Sequence, residues 1–346
     1  MEVGAERILV VFPSWLGDAV IAHSLLQVLK ARFQDCVVDV FAASALHPLL
    51  ESFPEIRACI ASPFDHGKLS LFLRYEVGKR LRSNNYTRAY VIPNSIKSSL
   101  VPFFAKIPKR IGYCGELRYF LLNDLRFADK QDHVLIERFA NLGFDQEKNL
   151  RVTELPWPSL KTSKDRIEQT LLKFGLNLAG KRVLAILPGP VGVNHRETKR
   201  WPPAAFAEVA KIKQQEGWEV WVLGGKEEQE IAKLIQELSA DSVINLVGKT
   251  SLSEVVDLLS QVELVLANDT GLMHIASALN RKLVVIYGPT LPKVAPPLTT
   301  AAARMVSIDH QCYACGNQDR ICPLGKNHCV TGITPDLVLS AINDIS

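Results

Sequence analysis

The sequence contains no uninterrupted apolar stretch long enough to cross a membrane. A transmembrane helix needs about 20 largely apolar residues, and the most apolar early stretch, Ile8–Leu29, is broken by Pro13, Gly17, Asp18 and His23. The first residues also lack the basic region and apolar stretch of a secretion signal. We therefore expect a cytoplasmic protein.

Strong charge of one sign is also missing. The net charge is only +4 over 346 residues, which argues against general nucleic-acid binding but leaves room for local basic patches. No G-x-G-x-x-G motif follows a candidate strand, so a NAD-dependent dehydrogenase is disfavoured. Hydrophobic residues make up 47% and charged residues 22%, a balance typical of a folded protein with sizeable cores, and the length predicts two domains.

The cysteines number seven, an odd count. In a reducing compartment the scattered Cys36, Cys59 and Cys114 are expected to be small buried side chains or free thiols. A C-x₂-C-x₆-C-x₆-C cluster follows near the end of the chain, at Cys312, Cys315, Cys322 and Cys329. Its spacing leaves three interpretations open, namely a structural zinc site, redox-labile thiols or disulfides, and unligated packing.

Short β-branched runs alternate with helical patterns through both halves of the chain. Strands are predicted at Arg7–Phe12, Val37–Ala42 and Arg88–Ile92, and then at Arg182–Leu187, Trp218–Leu223, Ser242–Leu246, Glu263–Ala267 and Lys282–Tyr287. Helices are predicted at Ala19–Phe33, Pro203–Glu216, Glu228–Leu238, Leu252–Leu259 and Leu272–Leu279. Continuous apolar strands are typical of parallel sheets buried on both faces. The fold class is therefore α/β, with two doubly wound domains.

A proline-containing stretch near Thr153–Ser163 lies outside either pattern and is the expected inter-domain connection. We predict an N-terminal Rossmann-like domain at 1–155, a C-terminal one at 165–333 and a final helix at 334–346. Two such domains facing each other across a cleft describe the GT-B architecture. Hydrolases and periplasmic binding proteins also use facing lobes, so the fold alone does not decide the function.

Asp18 follows the first predicted strand, in the segment Pro13–Asp18 that leads into a helix. The carboxyl end of such a strand is where α/β proteins bind ligands. One interpretation makes Asp18 the N-cap of the helix. The other makes it a general base that removes a proton from an acceptor hydroxyl.

A second polar turn is predicted at Asp269, Thr270 and Gly271, between a buried strand and a helix. The free N–H groups of that helix start would suit a diphosphate, although a simple capped turn also explains the pattern. His274, on the first helical turn, either reaches this site or packs.

Two further segments carry candidate phosphate and ribose contacts. Lys199 and Arg200 precede a helix opened by Pro202, where a cation could neutralise a phosphate, although such pairs are often solvated surface. Glu227 follows the next strand and resembles the acidic residue of nucleotide sites, or it is a helix-start carboxylate.

Taken together, these segments resemble the ADP-heptose:lipopolysaccharide heptosyltransferases over nearly the whole chain. The similar segments are Pro13–Asp18, Tyr90–Ser99, Lys199–Pro202, Asn268–His274 and Tyr287–Thr290. The resemblance implies a GT-B fold and an inverting transfer of heptose from ADP-heptose that needs neither a metal nor another cofactor. It makes Asp18 the base, Lys199 the cation that neutralises the diphosphate, and Glu227 a nucleotide contact. It further implies that Asp269, Thr270 and Gly271 bind the donor.

The resemblance also implies an acceptor on the N-terminal domain, an inner core of Kdo-lipid A that already carries one heptose. Basic residues could meet its carboxylates and phosphates, namely Lys97, Lys106, Lys109, Arg110 and Arg118. Val101–Phe104 either touches the inner membrane leaflet, in keeping with a peripheral position there, or forms a buried edge. The loop at 190–198 looks longer than in the family, so no role is assigned within it.

The alternatives are a related transferase that uses another nucleotide sugar and a non-catalytic ADP-sugar-binding protein. The latter would keep the turn at Asp269–Gly271 but would have no need for Asp18.

Overall fold

The computed structural model describes residues 5–65, 67–127, 134–146, 148–189, 200–308 and 328–346. The chain divides into two compact units, Met1–Pro158 and Ser159–Ser346. The division falls inside the proline-containing stretch.

The described part of the first unit is built around a six-stranded parallel sheet in the order β3-β2-β1-β4-β5-β6. Its strands are β1 (Arg7–Val11), β2 (Val37–Ala43), β3 (Ile56–Ser62), β4 (Arg88–Val91), β5 (Lys109–Tyr113) and β6 (Asp124–Arg126). Its helices are α1 (Leu16–Arg32), α2 (His47–Leu50), α3 (Leu71–Leu81), α4 (Ile96–Phe104) and α5 (Leu135–Ala140).

The described part of the second unit repeats this plan with the order β12-β11-β10-β7-β8-β9. Its strands are β7 (Val183–Leu187), β8 (Glu219–Val222), β9 (Ile244–Asn245), β10 (Leu264–Asn268), β11 (Lys282–Ile286) and β12 (Ala303–Val306). Its helices are α6 (Lys164–Lys173), α7 (Pro203–Gln215), α8 (Gln229–Leu238), α9 (Leu252–Leu259), α10 (Gly271–Ala278), α11 (His328–Thr331) and α12 (Pro335–Asn343).

The central strands of both sheets are buried on their two faces, as their apolar sequences predict. Leu9 and Val11 of β1 share a core with Val77 and Val101 of α3 and α4. Fully burying one such side chain contributes about 1.5–3 kcal/mol, so the apolar strands fix the centre of each sheet. In the second unit Leu184 and Ile186 pack in one cluster with residues of α7 and α12. The C-terminal helix is therefore part of the second core.

The predicted strands and helices of both halves are confirmed, with ends that differ by a few residues. Four strands were not predicted, namely β3, β5, β6 and β12. They are short or carry exposed and charged residues such as Arg57, Lys109 and Arg304, so their sequences lack the continuous apolar pattern of the central strands.

None of the helices in the described ranges is both long enough and apolar enough to span a bilayer.

Candidate active site

In each unit the strand order reverses between the first and the fourth strand. β1 lies beside β4 in the first sheet, and β7 lies beside β10 in the second. At such a reversal the loops after the two strands diverge and leave a crevice outside their carboxyl ends, where α/β proteins bind ligands. The residues after β1, β4, β7 and β10 are therefore the candidates for ligand binding.

Asp18 lies just after β1, but the interpretation as an N-cap is wrong. The N-cap of α1 is Trp15, and Asp18 is the third residue of the helix. A capping carboxylate accepts amide hydrogen bonds that lower its pKa. Burial instead raises the pKa of Asp18 to about 6, and the positive charge of Arg138 only partly opposes this rise. A carboxylate with this pKa is a better proton acceptor than an ordinary aspartate.

The helix that carries Asp18 is held by its own burial. Ala19, Val20, Ile21 and Ala22 are all buried, so the turn after Asp18 is fixed in the core. α5 packs along α1 and places the Arg138 guanidinium 5.3 Å from the centre of the Tyr113 ring. Burial raises the pKa of Tyr113 to about 12, so its hydroxyl stays protonated.

Arg118, which was predicted to bind the acceptor, is buried and clamps the loop after β4. Arg118 is only 1% exposed. Its guanidinium donates to the carbonyls of Pro93 and Tyr113, each at 2.6 Å, and to the hydroxyls of Ser98 and Ser99 at 3.1 and 3.2 Å. Burial lowers its pKa to about 10. Arg118 therefore positions the loop rather than meeting an acceptor.

Lys97 and Arg110 remain candidates for acceptor binding, but they differ in how many hydrogen bonds they already donate within the unit. Lys97 is partly exposed, and its ammonium donates to the Gly67 carbonyl at 2.7 Å. Arg110 donates to the carbonyls of Leu121 and Ile107, at 2.7 and 2.6 Å, and burial lowers its pKa. Much of its hydrogen-bonding capacity is therefore used inside the unit.

The apolar run at 101–104 forms the last turns of α4. Val101 and Pro102 are buried in this helix, whereas Phe103 is 39% exposed. The interpretation as a buried edge is therefore confirmed for the first two residues.

In the second unit, Asp269, Thr270 and Gly271 lie at the reversal between β7 and β10. Thr270 is the N-cap of α10, and its hydroxyl accepts from the Met273 amide at 3.4 Å. The capped turn is thus present, and it leaves further N–H groups of the first turn, beginning at Gly271, at the helix end. Asp269 accepts from the Thr290 hydroxyl at 2.6 Å, which ties the turn to the loop after β11.

His274 is buried behind this turn. Burial lowers its pKa to about 4, and the Asp269 carboxylate only partly opposes the shift. His274 is therefore neutral near pH 7, so it is not a cation for a diphosphate. The burial of His274 supports the interpretation that it packs.

Gly189, after β7, lies against this turn. Its φ of +78° lies in the left-handed region, which favours glycine. A Cβ there would lie 2.4 Å from the Thr270 methyl carbon, so a larger residue would force Thr270 to shift. The sequence Pro188-Gly189-Pro190 is the signal that could have identified this position.

Lys199 and the loop at 190–198 lie outside the described residues, so the role predicted for Lys199 stays a prediction. The neighbouring Arg200 is described, and its Nε donates to the Gly189 carbonyl at 3.2 Å. Trp201 is fully buried, with its ring N–H donating to the Ile333 carbonyl at 2.9 Å and its amide to the Asn268 side chain at 3.4 Å. The segment that follows Lys199 is therefore anchored beside the end of β10.

Glu227 is exposed, whereas the next residue, Glu228, is buried. Burial raises the pKa of Glu228, and the Gly225 amide and the Arg200 charge partly oppose this rise. Its carboxylate oxygen lies 3.1 Å from where a Cβ on Gly225 would be. Glu228 was missed because two adjacent glutamates give no sequence signal of which one turns inward.

The cysteine cluster falls largely outside the described residues, since Cys312, Cys315 and Cys322 all lie there. Cys329 is partly buried on α11. Of the scattered cysteines, Cys36 is buried, and Cys59 and Cys114 are partly buried. All three are free thiols.

These two sheets, with polar loops at matching reversals, define a Rossmann-like α/β protein of two units. The profile of glycosyltransferase family 9 (heptosyltransferase) matches residues 74–326. The chain belongs to this family, and it is a glycosyltransferase. Both the α/β fold class and the resemblance found in the sequence are thereby confirmed.

The similarity to individual relatives extends over whole chains. The sequence is 38% identical to lipooligosaccharide heptosyltransferase 2 of Haemophilus ducreyi, over 98% of this chain and 99% of that one. It is 36% identical to lipopolysaccharide heptosyltransferase 2 of Escherichia coli K12, over 97% of each chain. The solved structure of E. coli ADP-heptose lps heptosyltransferase II matches with a TM-score of 0.85 at 35% identity, covering 98% of both chains.

Proposed function

We propose that this chain transfers L-glycero-D-manno-heptose from ADP-heptose to the heptosylated inner core of Kdo-lipid A in lipopolysaccharide biosynthesis. The observation that carries the proposal is Asp18. It lies at the reversal of the first sheet, it is not a cap, and burial raises its pKa to about 6. A protein that only binds an ADP-sugar would not need a base there.

The reaction is a single displacement with inversion. Asp18 takes the proton of an acceptor hydroxyl, and the resulting oxygen nucleophile forms a bond to the anomeric carbon of the heptose. The bond from that carbon to the diphosphate breaks on the opposite face, and ADP leaves with the bonding electrons. General-base assistance of this kind contributes about 10²–10⁴-fold to a rate.

The departing diphosphate needs positive charge, which the second unit can supply. The N-terminal amides of α10, next to Thr270 and Gly271, suit a phosphate. Lys199 is proposed to neutralise the leaving charge, and Arg200 lies at the edge of the same turn through Gly189. Glu227 is proposed as a nucleotide contact, and no step requires a metal ion when these groups provide the electrostatic stabilisation.

The proposed acceptor is anchored in a membrane, and the first unit offers a surface for that position. Large apolar side chains are exposed in this unit, among them Phe72 at 76% and Phe120 at 90%, and the exposed Lys68 precedes Phe72 by four residues. Apolar side chains combined with cations suit an anionic membrane surface. We expect the double variant Phe72→Ser, Phe120→Ser to lose sedimentation with vesicles containing anionic phospholipid, and unchanged sedimentation would contradict this contact.

The test of function is an in vitro transfer assay. ADP-heptose and other nucleotide sugars are offered with two acceptors, Kdo-lipid A with and without its first heptose, and the anomeric configuration of the product is read by NMR. Transfer only onto the heptose-free acceptor would contradict the assignment to the second heptose. Transfer only from another nucleotide sugar would contradict the donor. Binding of ADP-heptose with no transfer to either acceptor would indicate a binding protein.

A further inference from the structure

A cavity of about 250 Å³ lies in the first unit, and its lining includes Tyr113 and Arg138, which have no role in the reaction proposed above. We call it the Arg138 pocket. Tyr113 and Arg126, at the ends of β5 and β6, line it together with Arg138, Asn141, Lys148 and Asn149. Pockets for whole drug-sized ligands are about 300–1,000 Å³, so this one suits a single charged group or ring.

The walls of the Arg138 pocket are basic. Arg126, Arg138 and Lys148 bring three positive charges, whereas Glu137 brings one negative charge. The Glu137 carboxylate accepts from the Val152 amide at 2.8 Å and lies 3.5 Å from Arg151, so it already has partners. Arg126 is paired with Asp124 at 2.9 Å. The charge of the pocket that remains after these pairings is positive.

Arg138 is the residue that points to a ligand. Within the described ranges its guanidinium stacks near Tyr113 but donates no hydrogen bond, and its Nε is buried without an acceptor. Buried polar groups are nearly always hydrogen-bonded, and a guanidinium pairs best with a carboxylate or phosphate. An anion in the pocket would supply the missing acceptor.

The position of Arg138 relates this pocket to the base. Arg138 is on α5, which packs along α1, and its charge acts on the Asp18 carboxylate. Tyr113 and Arg126 end their strands at the same edge of the sheet that Asp18 follows. A group held in the pocket would therefore lie on the side of the sheet where the acceptor hydroxyl must meet Asp18.

We infer that the Arg138 pocket binds an anionic group of the acceptor, a sugar carboxylate or a phosphate, and so orients the acceptor hydroxyl toward Asp18. This inference rests on the proposed function. The anion is part of the acceptor, so donor binding does not involve this pocket.

The kinetic test varies the protein and the acceptor together. Arg138→Gln and Lys148→Gln are expected to raise the acceptor KM by about 10- to 100-fold, the range for a lost charged hydrogen bond, with the donor KM unchanged. Arg80→Gln, which removes an exposed arginine of the same unit, is the control and should change neither. Acceptor with its carboxylates reduced to alcohols, and acceptor stripped of phosphate, identify the anion.

The acceptor that lacks the bound anion should be a poor substrate for the wild-type protein. Arg138→Gln should reduce its turnover little further, because the interaction is already absent. If Arg138→Gln impairs both modified acceptors as much as the intact one, or raises the donor KM equally, the inference is wrong.

A binding measurement separates this inference from the proposed function. The full chain is titrated by calorimetry with free Kdo, as a sugar carboxylate, and with inorganic phosphate at constant ionic strength. One of them should bind the wild-type protein and Arg80→Gln but not Arg138→Gln, even if no acceptor is ever glycosylated. Equal binding to all three proteins, or no binding to the wild-type protein, would overturn the pocket assignment. Unchanged thermal unfolding of each variant shows that it is folded.

Discussion

The two sheets have the same strand order, yet the residues at their reversals differ in kind. In the first unit a partly buried acid follows β1, and a buried arginine holds the loop after β4. In the second unit a glycine follows β7, and a threonine-capped helix follows β10. One reversal therefore presents a carboxylate, whereas the other presents backbone amides.

This difference shows that the fold determines where a site lies, whereas the residues of the loops determine its chemistry. In the proposed reaction Asp18 is the base, a role that suits a side chain whose charged form is partly desolvated. Thr270, Gly271 and Gly189 are proposed to hold the diphosphate, which requires N–H groups and close backbone approach. The following experiments perturb one reversal at a time.

Asp18→Asn should have the largest effect. It keeps the shape of the side chain but removes the base, so we expect kcat to fall about 10²–10⁴-fold with ADP affinity unchanged. The control is Asp35→Asn, at an exposed position with a φ of +61° that asparagine also tolerates. Activity retained in Asp18→Asn would remove this residue from the mechanism and with it the contrast between the two reversals.

Arg118→Lys should be the next largest perturbation, and it concerns stability. Lysine keeps the charge but cannot reproduce the planar fork that reaches Pro93, Tyr113 and Ser99. We expect the free energy of unfolding of the first unit to fall by about 2–4 kcal/mol in urea titrations, because buried acceptors lose their donors. Arg80→Lys, on the exposed face of α3, should cost almost nothing. Equal costs would show that the clamp is not needed.

Gly189→Ala should weaken the second reversal alone. The new methyl would displace Thr270, so we expect ADP affinity measured by calorimetry to fall about 10-fold and kcat to change less. Gly175→Ala is the matched control. It also has a positive φ, of +64°, but nothing lies within 4 Å of its Cβ, so it should cost about 1–2 kcal/mol of stability and leave ADP affinity intact. A similar loss of affinity in both variants would attribute the effect to backbone strain.

The smallest effect is a shift in pH dependence. Asp18 must be ionised to accept a proton, so kcat/KM should fall about tenfold per pH unit below pH 6 and level off above it. The Arg138 charge opposes the raised pKa of Asp18, so Arg138→Gln should move this midpoint to higher pH, whereas Gly189→Ala should leave it in place. An unchanged midpoint in Arg138→Gln would mean that another group controls the rate.

The central strands and the helices between them were predictable because continuous apolar runs leave few other options. The outer strands β3 and β5 were not, since Arg57 and Lys109 break the apolar pattern with charged residues that pair with a neighbouring strand. Element ends depend on caps, and Trp15 at the N-cap of α1 has no sequence signature. The position of Asp18 inside the helix therefore emerged only from the structure.

The turn at Thr270 and Gly271 was predictable, because its sequence is typical of a strand that turns into a helix. The residues whose role depends on being buried were not predictable. Arg118 reads like any surface arginine because its acceptors lie about 20 residues away at Pro93–Ser99. The inward turn of Glu228 and the neutrality of His274 likewise depend on packing that no single sequence displays.

The Arg118 clamp has a consequence for redesigning acceptor choice among relatives. It joins residues 93–99 and 113–118 into one hydrogen-bonded block, and the amide of Ile96 adds a second tie to Glu116 at 2.7 Å. A chimera that exchanges only one of these segments would leave the buried Arg118 guanidinium, or its replacement, beside hydrogen-bond acceptors from a different protein. The two segments should therefore be exchanged together in any chimera.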